Sequence, residues 1–175
     1  RAQRPVGDKY PHRATDRPAG SHSPMKCVNP PVGWMFMEGA RRLLDAGVHV
    51  PGMHGGDGQR VALEAYPGWL ARSIVAGSYK SEAAAGQTRE RLANRMLLSE
   101  ALLRGQHPLG VPLRCDDDAL LEAMSSDGTG DTLDCVLCLV EAAWAWLRRD
   151  AGYGLPLHID PVEGWIVGVS RPETV

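Results

Sequence analysis

Residues 131–150 read DTLDCVLCLVEAAWAWLRRD, and residues 61–67 read VALEAYP. The first stretch follows a turn, Ser125-Ser126-Asp127-Gly128-Thr129-Gly130, and is apolar nearly all round its middle. That pattern predicts a helix from Asp131 to about Asp150, buried against a sheet. The second stretch opposes Val61 and Leu63 to Ala62 and Glu64, predicting a short strand from Arg60 to Ala65 that Tyr66-Pro67-Gly68 ends. A buried helix beside such a strand places the chain in the α/β class.

Working outward, Asn29-Pro30-Pro31 opens a helix predicted over Val32–Ala46, with Arg41 and Arg42 exposed and Gly47 as its stop. Pro67 opens a short helix through Val75. A longer charged helix is expected from Ala83 or Thr88 to Leu103, with Leu92, Met96 and Leu103 inward and Gly105 as terminator. Asp116-Asp117-Asp118 caps another that ends near Met124. Trp165–Val169 (WIVGV) is the best remaining strand. Residues 1–33, rich in Arg, Pro, Gly and Ser, read as an irregular arm, and 34–175 as the core of one domain.

The chain has 175 residues, 43% hydrophobic and 23% charged, values that exclude wholesale disorder and a fibrous fold. Its formal charge of -2 excludes a polycationic nucleic-acid coat, so a nucleic-acid role has to rest on local charge. Six basic residues against two acidic ones from Arg1 to Lys26 supply such a region, with a local charge of +4. A phosphate-facing loop and a merely solvated basic loop both fit it. The 19 positive residues are 16 Arg and 3 Lys, which suits either a GC-rich coding sequence or phosphate recognition by guanidinium forks. The best apolar run, Val136–Leu147, is too short for a membrane span and is interrupted by Glu141. Four cysteines without a secretion signal are expected as reduced thiols in a cytoplasm. Arg1 stands first with no Met before it, so a missing beginning is expected.

The candidate chemistry lies in three carboxylates. Glu64 sits on an otherwise apolar strand where the chain leaves the sheet. Asp131 and Asp134 share one face of the first turn of the most buried helix. Hard oxygen donors from separate rigid elements suit a divalent ion such as Mg²⁺, and the helix N-terminus favours both ionised aspartates. The competing reading makes the aspartates helix caps and Glu64 an exposed strand position. Arg13, Arg17 and Lys80 are candidate phosphate contacts. Ordinary surface charge, or a buried pair such as Arg13 with Asp16, fits them equally.

Six blocks carry a resemblance to a known family: RATDRPAGSHSPM and VNPPVGWMF (13–25 and 28–36), VALEAYPGWLAR (61–72), SYK (78–80), DTLDCVLCLVEAAWA (131–145), and YGLP with DPVEGWIV (153–167). Together they resemble the domain-of-unknown-function family 429. That resemblance implies a ribonuclease H-like fold, a mixed sheet flanked by helices, present here without its N-terminal strands, and a predicted nuclease activity. It further implies that metal is held by a first-strand Asp, a strand Glu and late-helix Asp residues. Glu64 matches the strand acid, Asp131 and Asp134 match the helix acids, and the first-strand Asp has no match. The implied chemistry is two-metal hydrolysis of nucleic-acid phosphodiesters with Mg²⁺ or Mn²⁺. The alternative is a non-catalytic nucleic-acid or nucleotide binding module on the same fold.

Weaker signals favour structural readings. Cys135 and Cys138 form a C-x-x-C inside a helix with no second pair, so small core side chains are expected rather than zinc ligands. Gly55-Gly56-Asp57-Gly58 lacks the Lys-Ser/Thr of a phosphate loop. Trp144, Trp146 and Trp165 read as packing residues.

Overall fold

The computed structural model describes residues 10–28 and 31–171, a mixed α/β chain that divides into two compact units. The first unit comprises residues 1–64 and 152–175, the second residues 65–151.

The first unit holds α1 (Asp16–Ala19), α2 (Val32–Asp45), β1 (Val48–His49) and β2 (Asp57–Val61). The two strands pair in parallel, Val48 opposite Asp57 and His49 opposite Val61, with a break in register between. Pairing starts earlier than the alternation predicts because Gly56 lets the backbones approach: a Cβ there would lie 2.4 Å from the Val48 carbonyl oxygen. Glu64 therefore lies beyond β2, in a single parallel bridge to Ile166, where the Val167 N–H donates to the Glu64 carbonyl at 2.9 Å. Trp165, Ile166, Val167 and Val169 are buried as a strand's residues would be. They do not extend into a ladder, since Gly164 and Gly168 have φ of +67° and +80° and turn the backbone on either side. Helix α2 matches the predicted span to within one residue. Its apolar residues Phe36, Leu43 and Leu44 are exposed, and only Gly33 is buried.

The second unit contains α3 (Pro67–Arg72), α4 (Arg89–Arg104), α5 (Asp118–Ser126) and α6 (Asp131–Trp146), with α6 packed against α3, α4 and α5. Leu70, Leu98, Leu102, Met124, Leu133 and Leu137 are wholly removed from water and form its centre. Each such side chain contributes about 2 kcal/mol of transfer free energy. Capping fixes the helix ends. The Thr88 hydroxyl accepts from the Arg91 N–H at 3.2 Å, Gly105 ends α4 in the left-handed region, and Asp117 accepts from the Ala119 N–H at 2.9 Å. The inner face of α4 differs from the predicted Leu92–Met96–Leu103 stripe. Leu92 and Met96 are exposed, and the buried residues are Arg95, Leu98, Ala101 and Leu102. Arg95 is the reason: a pattern that admits only apolar residues inside rejects the face that carries it. Its guanidinium is buried because it donates to the carbonyls of Tyr79 (2.8 Å) and Ser125 (2.7 Å).

Candidate functional site

The predicted site residues divide between the two units, with Arg13, Arg17 and Glu64 in the first and Lys80, Asp131 and Asp134 in the second.

In the first unit Arg13 is a structural clamp. Its Nε and one terminal nitrogen donate to Asp16 at 3.0 and 2.8 Å, and its two terminal nitrogens donate to the two Glu64 carboxylate oxygens at 2.6 Å each. A further bond reaches the Glu163 carbonyl at 3.1 Å. Burial disfavours the guanidinium's charge, but these hydrogen bonds outweigh it and raise its pKa. Asp16 is fully buried and also accepts from the Ser21 hydroxyl. The Arg13–Asp16 pairing anticipated as the alternative to a phosphate contact is thus present. Arg17 is exposed on α1.

In the second unit the start of α6 meets the loop of residues 76–81. Tyr79 donates its hydroxyl to one oxygen of Asp134 at 2.5 Å, and the Lys80 ammonium pairs with the other. Burial, then the bond to Asp134, raises the Tyr79 pKa and keeps the phenol protonated as that donor. The loop is held from behind, as Asn94 donates to the Ser78 carbonyl (3.0 Å), Arg95 to that of Tyr79, and the Ser81 N–H to the Gly128 carbonyl (3.1 Å). Tyr66, Arg72, Lys80 and Asp134 are among the residues around a cleft of about 370 Å³, with the Arg72 guanidinium 5.3 Å from the Tyr66 ring centre. Asp131 is exposed one turn before Asp134.

The capping alternative for the two helix acids finds its residue elsewhere. Gly130 is the N-cap, and Asp127 accepts from the Thr132 N–H at 2.9 Å and from the Thr129 hydroxyl at 2.7 Å. Those bonds, the Thr132 N–H first, hold the Asp127 carboxyl well below its ordinary range. Asp134 is therefore not spent on capping, and its oxygens meet Tyr79 and Lys80 instead. Gly130 is also the point of closest approach: its φ is +78°, and a Cβ would lie 2.7 Å from that of Lys80. Gly130→Ala is expected to cost about 2 kcal/mol from strain and displacement of the loop. A urea-denaturation midpoint equal to wild type would show that the loop gives way freely.

As they stand, the Glu64 and Asp134 carboxylates are engaged by protein cations. Among the described residues no group of three or more His, Cys, Asp or Glu side chains is placed to hold a metal ion. Cys135 and Cys138 are unbridged; contrary to the expected core placement Cys135 is exposed and Cys138 is half-buried, and burial pushes the Cys138 thiol up to about 11. No helix among the described residues is long and apolar enough to cross a membrane. The residue that pattern reading missed is Glu141, wholly buried on α6. One of its oxygens accepts from the Tyr66 N–H at 2.8 Å and the other has no partner among the described residues. No protein-family model matches the chain, and no curated protein or solved structure matches it.

Proposed function

We propose that this protein is a nucleic-acid phosphate-binding module of ribonuclease H-like architecture, acting through the cleft at the start of α6. The observation that carries the reading is the cluster of Lys80, Tyr79 and Asp134 in a cleft that Arg72 also lines. Two cations beside the half-buried Tyr66 can hold a phosphate backbone while that ring meets a base, and the buried Tyr79 positions Asp134. Binding is favoured over hydrolysis because protein cations already occupy Glu64 and Asp134. A Mg²⁺- or Mn²⁺-dependent nuclease is the second reading. Asp131 and Asp134 support it, one turn apart at the helix start, with neither side chain spent on capping.

The test measures RNA and DNA binding against salt, and cleavage with Mg²⁺ or Mn²⁺, for wild type, Lys80→Ala, Glu64→Gln and Asp134→Asn. The expected result is salt-dependent binding that Lys80→Ala weakens about fivefold, with a shallower salt slope and without cleavage. Divalent-dependent cleavage abolished in both Glu64→Gln and Asp134→Asn replaces this reading with the nuclease. Cleavage that survives both comes from a contaminant. Absence of binding to every nucleic acid overturns both readings.

A further inference from the structure

The cleft offers more than phosphate binding alone uses. Arg72, Ser78, Lys80 and Asp134 bring polar atoms to its lining, while Tyr66, Pro67 and small residues such as Ala76 bring apolar ones, with the Arg72 guanidinium over the Tyr66 ring. A volume of about 370 Å³ falls within the range of pockets that enclose one small ligand. Stacked, paired bases of a duplex cannot enter such a space, and an unpaired base can. Aromatic rings bordered by cations bind single strands by stacking the base and holding the adjoining phosphate. Asp134, its charge met by Lys80, retains acceptor capacity for a base amino group.

We propose that the cleft receives one unpaired base of a single-stranded nucleic acid, with Tyr66 and the apolar lining against the base and Arg72 and Lys80 at the flanking phosphates. This rests on the nucleic-acid reading above and narrows it to a substrate class. Ala76 provides the test, because it lines the cleft and is exposed, so Ala76→Trp fills the space without entering the core.

Fluorescence anisotropy on the full chain, without divalent ions, compares a short labelled single strand with the same strand annealed to its complement. The single strand is expected to bind about tenfold more tightly, and Ala76→Trp to remove that advantage. Tyr66→Ala, checked for folding by its melting midpoint, should lose a similar factor for the single strand. Equal affinity for the two forms, or a single-strand affinity untouched by both substitutions, overturns the inference and leaves the broader reading standing. Failure of both forms to bind overturns the two together.

Discussion

Arg13→Ala is expected to unfold the first unit of the chain at temperatures where wild type is stable. The substitution strands Asp16, a carboxylate with no exposure, and cuts the tie among residues 13–16, Glu64 and the 163–167 segment. Removing one partner of a buried ion pair costs about 3–5 kcal/mol, and for a chain of this length that corresponds to a fall of roughly 10 °C in melting midpoint. Hydrogen exchange of residues 13–23 and 164–169 should read the loss directly. These segments hold the bonds that depend on the clamp, including the Ile166 N–H donated to the buried Thr15 hydroxyl at 3.1 Å. Glu64→Gln is the contrast. Glu64 is 41% exposed, so losing its charge costs about 0–1 kcal/mol after solvent screening. If Arg13 served only as a surface contact for phosphates, Arg13→Ala and Glu64→Gln would have equally small effects. The double variant Arg13→Met with Asp16→Leu should recover part of the loss, because it removes the orphaned charge along with its partner.

Legibility in the sequence followed the physical origin of each feature. Helices α2, α4, α5 and α6 were readable because period, caps and terminating glycines are local. Asp117, Gly105 and Gly47 lie where sequence rules put them. The strands were less so. Gly56 permits a backbone approach that shifts pairing toward Asp57, and Gly164 and Gly168 break the WIVGV run, effects that hydrophobic alternation does not encode. At the site, SYK and the Asp131–Asp134 pair were visible as residues. Their relation was not, because Lys80 and Asp134 stand 54 residues apart along the chain and their approach depends on Asn94 and Arg95 holding the Lys80 loop. Arg95 was hidden by its charge, and so was Glu141, which interrupts the apolar run of α6 and reads in sequence as a mere break.

Glu141 carries the last prediction, a loss of stability as pH rises. Burial pushes its pKa from 4.5 up to about 7, and the Tyr66 N–H bond only partly opposes that shift. In the unfolded chain the carboxyl releases its proton near 4.5, while the folded chain keeps it until about 7. Between those values the folded state binds more protons, so stability falls with increasing pH and the full loss is present above about 7. A shift of this size corresponds to about 3 kcal/mol, an upper estimate because local opening would let water reach the carboxylate. Glu141→Gln retains an oxygen for the Tyr66 N–H and has no charge to expel. Its urea midpoint should therefore stay nearly level from pH 5 to pH 8, while that of wild type descends, with the two curves separating most at the alkaline end. Parallel curves would mean that the buried carboxylate finds a counter-charge or water on ionising, and Glu141 would then be an ordinary polar core residue. The gap should be larger than any change made at an exposed acid such as Asp131, whose side chain already faces solvent.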